Sequence, residues 1–164
     1  MLEVLEKKSR YGSSKRGSGK QVNVEFVSAN PTGPLHAGHA RGACYGDAIA
    51  NLLQYVGFSV HIEFYMNDRG LQMKAFGRSL EARKNNESLP EDGYGGEYVI
   101  EWAKEMPAGL ALEEIITWGC EFAKNDQQDT LSELGIYFDT WFSEKSMIDN
   151  GEIDRVLANL AEKG

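Results

Sequence analysis

Cysteine is scarce in this sequence. Cys44 and Cys120 are the two present in 164 residues, with no Cys-x-x-Cys spacing, so neither a cysteine-bound zinc nor a disulfide scaffold fits. No apolar run approaches the roughly 20 residues a membrane-spanning helix needs, and no basic-then-apolar leader is visible, so the expected setting is reduced and cytoplasmic, without a membrane partner. Basic side chains are in deficit: 17 Lys and Arg against 25 Asp and Glu leave a formal charge of -8. A dedicated nucleic-acid-binding module offers phosphate a basic face, so any RNA contact must be local or lie on other sequence. Three histidines occur, and the close pair His36 and His39 has no Glu between its members. That excludes the His-Glu-x-x-His zinc site, and no protein-bound metal is expected. Repeats and long low-complexity tracts are also missing, which argues against a solenoid.

What is present is enough apolar material for one core, 41% hydrophobic and 10% aromatic residues. Met1 to Arg10 reads as a short charged helix, and the Gly, Ser and Lys/Arg stretch Tyr11 to Lys20 as a mobile loop. Residues 1–20 are thus read as an N-terminal helix and loop, and 21–164 as the domain that follows. From Gln21 to Ala29, Val22, Val24 and Phe26 alternate with Asn23 and Glu25, the period of a strand. A turn, Asn30 to Pro34, leads into a helix marked by Ala40, Cys44, Ala48 and Leu52 and ended by Gly57. Phe58, Val60, Ile62 and Phe64 then alternate as a second strand. Strand, helix, strand is a crossover that builds a parallel sheet. The fold class is therefore α/β, a Rossmann-like parallel sheet. Helices predicted over Asp68 to Asn85, Glu97 to Met106 and Leu112 to Leu134 form a helical insertion at about 73–134. The sheet resumes near Ile136 to Phe142, and a final helix runs from Ile148 to Glu162.

Ser28 to His39, SANPTGPLHAGH, places two histidines where the first strand gives way to the first helix, and ligands of open α/β sheets bind at that kind of edge. A helix N-terminus offers free N–H groups and about half a positive charge to an anion. His36 and His39, three apart, can share one side of the first turn and add donors for phosphate, while Gly38 leaves room for a flat group such as adenine. Two histidines at this spacing on an arbitrary helix are more often a surface or core pair; the strand-turn-helix context favours a site.

VNVEFVSANPTGPLHAGHARG closely resembles the signature region of bacterial arginyl-tRNA synthetases, with His36-Ala37-Gly38-His39 as the "HIGH" tetrapeptide of class I synthetases. Tyr65-Met66-Asn67-Asp68-Arg69-Gly70-Leu71-Gln72, PEDGYGGEY at Pro90 to Tyr98 and FDTWFSE at Phe138 to Glu144 resemble the family's later blocks in the same order. The resemblance implies a HIGH-motif nucleotidylyl transferase type of domain that activates L-arginine with ATP and its Mg2+, then passes it to tRNA(Arg). It implies catalytic roles for His36 and His39, and ATP binding by Thr32, Gly33, His36, Gly38 and His39. It also implies arginine binding by Glu25 and Asn30. A carboxylate is a natural bidentate partner for a guanidinium. Ser28 is expected to support that pocket, with Asp68 and Gln72 on its far side. Tyr94, Tyr98 and Trp102 are read as packing aromatics.

Two motifs are decoys. GSSKRGSGK precedes a strand instead of following one, so it is not a P-loop, and Glu144-Lys145-Ser146-Met147 is not the Lys-Met-Ser-Lys loop of class I synthetases. Some family members without that loop carry a lysine three residues before the first signature histidine, where Gly33 stands here. The resemblance therefore places the loop, the later half of the sheet, an anticodon-binding domain and a tRNA-elbow domain outside these residues. The 164 residues alone are expected not to charge tRNA. Two alternatives remain: another His-x-Gly-His nucleotidylyltransferase, adenylating a small pantothenate-pathway acid or phosphate, and a stand-alone nucleotide-binding module.

Overall fold

Successive side chains of a strand point to opposite faces, and β1 (Gln21–Glu25) shows this directly: Val22 and Val24 are half-buried while Gln21, Asn23 and Glu25 are exposed. The structure is a computed structural model and describes residues 2–164; the Met1 end of the predicted first helix lies outside them. Helix α1 (Leu2–Lys7) buries no residue, and a 3-10 turn at Lys8–Arg10 follows it. The Gly/Ser/Lys stretch expected to be a mobile loop is tethered. Tyr55 donates from its hydroxyl to the Ser9 carbonyl, Gly17 N–H bonds the Val56 carbonyl, and Phe58 fills the space a Gly17 side chain would need.

The strand expected to reach Ala29 stops at Glu25 because Val27 and Ser28 take φ values of +65° and +43°. Positive φ is unfavourable for a β-branched residue, so this bend is strained. Ser28 N–H closes it on the Phe26 carbonyl at 2.9 Å, a γ-turn about Val27. Helix α2 (Ala37–Tyr55) packs against the sheet through the small residues Ala43, Gly46 and Ala50, and Gly57 with φ +96° ends it as expected. β2 (Ser59–Met66) pairs in parallel with β1, from Gln21 opposite Ser59 to Glu25 opposite Glu63. β3 (Thr140–Ser143) continues on the other side of β2, so the order is β1-β2-β3 and β1 lies at an edge. β3 begins four residues later than the predicted Ile136, because Gly135 (φ +74°) turns the chain and Ile136 and Phe138 pack beneath the sheet before pairing starts.

Helices α3 (Leu71–Lys84), α4 (Glu97–Glu105) and α5 (Leu112–Glu133) lie between β2 and β3, as the helical insertion was expected to. They form their own core of Met73, Phe76, Leu80, Val99, Trp102 and Ile115. A second core under the sheet joins Ala43, Phe64, Met66, Leu131 and Ile136. Leu131 belongs to α5, so the last turns of that helix dock the insertion onto the sheet. The predicted single final helix is two, α6 (Glu144–Asp149) and α7 (Glu152–Lys163), because Gly151 turns left-handed (φ +66°) between them. Among the described residues no helix is long and apolar enough to cross a membrane.

Candidate active site

The strained bend after β1 delivers Asn30, Pro31 and Thr32 to the carboxyl edge of the sheet and leads into α2 at His36. His36 is the N-cap of α2, and its Nδ1 accepts from the N–H of Gly38 at 3.1 Å and of His39 at 3.4 Å. His39 reaches back, its Nδ1 accepting from the His36 N–H at 3.3 Å. This is a capping box built from two imidazoles, and the rings stack with centroids 3.7 Å apart and planes 16° apart. Because each Nδ1 is used as an acceptor, the hydrogen-bond network assigns the proton of each neutral ring to Nε2. Burial, and then the neighbouring His36, lower the pKa of His39 below its ordinary 6.5. His39 therefore presents a neutral Nε2–H donor near pH 7. The first-turn backbone amides expected to meet an anion are occupied by His36 itself, so an anion here would be held by imidazole Nε2–H instead. The absent side chain of Gly38 makes room for the His36 ring, 2.9 Å from where a Cβ would stand.

Both imidazoles line a cavity of about 330 Å³ with Asn30, Thr32, Gly33, Pro34, Tyr94, Tyr98 and Gln127. Its lining holds no carboxylate. The donor set fits phosphate, and a magnesium ion would arrive on the phosphates of its nucleotide rather than be held by this wall. Asn30 Nδ2 donates to Gln72 Oε1 at 2.6 Å, which ties the loop to the first turn of α3. Gln72 lines a second cavity, again about 330 Å³, with Leu71, Ala75, Asp92, Gly93 and Tyr94. Tyr94 is common to both walls.

Glu25 stands at the end of β1 and its Oε1 accepts from Ser28 Oγ at 2.7 Å; Ser28 Oγ in turn accepts from Tyr65 N–H at 3.2 Å. Ser28 thus orients the carboxylate, and among the described residues Oε2 has no hydrogen-bond partner. Asp68 stands at the same edge, where Ser143 Oγ and Lys145 N–H both donate to its carboxylate at the start of α6. Tyr65 records how acidic this edge is. Its hydroxyl pKa is raised by burial first, then by a hydrogen bond to Glu144, with the charges of Glu144, Asp68 and Glu25 adding to the effect.

Sequence reasoning missed Glu63, Glu144 and Gln127. Glu63 is the direct partner of Glu25 across β1 and β2, so both carboxylates share one face, and among the described residues neither forms an ion pair. In-register pairing of the two predicted strands would have revealed it. Tyr94, Tyr98 and Trp102 do pack in the insertion core, and the two tyrosines also wall the cavity. Cys120 is inert to base, its thiol pushed up to about 12 chiefly by burial.

The parallel sheet with a histidine-capped helix at its carboxyl edge is an α/β arrangement suited to a nucleotide's phosphates, and comparison with known proteins gives the family. The family model for the catalytic domain of class I tRNA synthetases (R) matches residues 1–116, and the chain belongs to that family. The particular relatives are arginine–tRNA ligases. That of Caldanaerobacter subterraneus subsp. tengcongensis is 42% identical over 99% of this chain and 32% of its own length. That of Heliobacterium modesticaldum is 44% identical over 98% of this chain and 31% of its own length. A solved structure from Campylobacter jejuni, assigned as an arginyl-tRNA synthetase, superposes with a TM-score of 0.82 at 30% identity, over 97% of this chain and 38% of that one. The chain spans about a third of the length of the curated relatives it matches.

Proposed function

We propose that these residues form the ATP- and arginine-facing part of an arginine–tRNA ligase acting in the cytoplasm. It activates L-arginine with ATP and Mg2+ and passes the arginyl group to tRNA(Arg), with the rest of the longer protein completing the site. The observation that carries this reading is the stacked His36 and His39 pair, with both Nδ1 atoms engaged, which leaves Nε2 of each ring as the donor, in residues that line one cavity with Asn30. In adenylation the arginine carboxylate attacks the α-phosphorus and pyrophosphate departs. The reaction asks the protein mainly for alignment and for donors to the phosphate oxygens as charge spreads over them. Thr32, Gly33 and Gly38 shape the nucleotide side of the pocket. Asn30 and Gln72, already bonded to each other, and the Ser28-oriented Glu25 supply the arginine side.

A protonated guanidinium needs opposite charge, and Glu25 with Glu63 on the same sheet face provides it. Asp68 supports the same wall by fixing the start of α6. The test is arginine-dependent exchange between ATP and pyrophosphate, measured on the full-length protein and on residues 1–164. The full-length protein should exchange with arginine, Glu25→Gln should raise its KM for arginine at least tenfold, and the 164-residue chain should be inactive. Exchange driven by pantoate or another acid in place of arginine would sink the assignment.

A further inference from the structure

Gln127 sits on α5 with no exposed surface, an unusual place for an amide. Its Nε2 donates to the carbonyl oxygens of Asn30 at 3.1 Å and Gly33 at 2.9 Å. From α4, Tyr98 donates its hydroxyl to the intervening Thr32 carbonyl at 2.8 Å. Three carbonyls within four residues of the site loop are therefore held by side chains of the helical insertion, 66 to 97 positions away in sequence. The loop has little of its own to replace them. Its own backbone bonds between Phe26 and Pro34 are the short closures at Ser28 and Thr32, and Pro31 and Pro34 have no N–H to give. Contact is also tight, since a Cβ on Gly33 would stand 3.0 Å from the Tyr98 ring and hydroxyl. The Gln127 Oε1 is buried without a partner among the described residues. An apolar side chain of similar length would fill the space without leaving a buried oxygen unpaired, so packing alone does not account for an amide here.

We propose that Gln127 and Tyr98 are positioning residues that clamp the loop carrying Asn30 and leading to His36. The insertion thereby sets the geometry of the imidazole stack and the Asn30 amide. The effect on catalysis rests on the function proposed above; the clamp itself does not.

The test compares Gln127→Met and Tyr98→Phe, which remove the donors and keep the bulk. In the 164-residue chain, hydrogen exchange of peptides covering residues 26–39 should quicken about tenfold, as expected from losing one or two buried hydrogen bonds, while peptides from β2 and α3 keep their rates. In the full-length protein carrying the same changes, kcat for arginine-dependent pyrophosphate exchange should fall about tenfold or more, with the KM for ATP shifting less, since misalignment of about 1 Å acts on the transition state. Unchanged loop exchange in both variants overturns the clamp. A uniform rise across all peptides overturns it too, because it marks a general packing role. A loosened loop with unchanged kcat overturns the positioning role. If the unsubstituted full-length protein lacks the exchange activity, the proposed function fails, and loop exchange still decides the clamp.

Discussion

Replacing His36 separates two jobs that one side chain performs. His36→Ala removes the N-cap of α2, leaving the amides of Gly38 and His39 unpaired, and also removes one Nε2–H donor from the cavity. Loss of an N-cap side chain costs about 1 kcal/mol. For a chain of 164 residues that is a drop of about 2–4 °C in Tm. Losing one preorganised donor to a reacting phosphate costs about 100 to 1000-fold in rate. His36→Asn divides the two losses. Asn is among the best N-caps, so its side-chain oxygen can bond the same amides, but it does not extend as far into the cavity. Thermal melting of the 164-residue chain should therefore show Ala destabilised and Asn near the parent. Arginine-dependent pyrophosphate exchange by the full-length protein should be cut by a similar large factor in both. Recovery of activity along with Tm in His36→Asn would mean that the imidazole acts only as a cap, and the reading of the Nε2–H donors would be wrong.

Other perturbations test the frame around the site. Phe64 is fully buried, stacked on Trp141 at 4.0 Å and edge-on to Phe138 at 5.3 Å, so Phe64→Ala should cost about 3–5 kcal/mol in denaturant titration. Gly46→Ala would place a Cβ 2.2 Å from the Phe26 ring; the melt should show a loss of about 1–3 kcal/mol, outweighing Ala's better helix propensity. His39 titrates below 6.5 in the folded state, so the unfolded chain binds more protons over the window just below that pH. Its contribution to stability is complete above about 6.5 and is lost as pH falls toward the folded value; His39→Gln should flatten that part of the Tm against pH curve. Asp126 behaves oppositely. Burial, then the nearby Asp129, raise its carboxyl above 3.8, so it costs stability as pH rises through that range, and Asp126→Asn should raise Tm at pH 7 and give no gain below about pH 3.8.

The strand-helix-strand unit was legible because its cues are local. Val22 and Val24, then Val60 and Ile62, alternate with polar residues, and Gly57 closes the helix with the positive φ that a glycine accepts freely. Local cues failed where distant packing overruled propensity. Val27 is a good strand residue forced to φ +65°, which ended β1 early, and nothing in its neighbours announces that. Asp68 accepts from Ser143 and Lys145, partners 75 and 77 residues on, which its own sequence neighbours do not announce. Gln127 is the same problem reversed. Its helix reads as ordinary amphipathic sequence, and the purpose of the amide emerges only when the loop 94 to 97 residues earlier is folded beneath it. Glu63 was within reach, since aligning two predicted parallel strands sets it opposite Glu25.

Among the described residues no strand pairs with the outer margin of β1, and a sheet edge of that kind can accept another strand. Any polypeptide annealing there would run alongside Glu25, where the guanidinium is proposed to sit. Widening the sheet and walling the ligand's chamber would then be a single event, achieved by backbone pairing with no new side-chain chemistry.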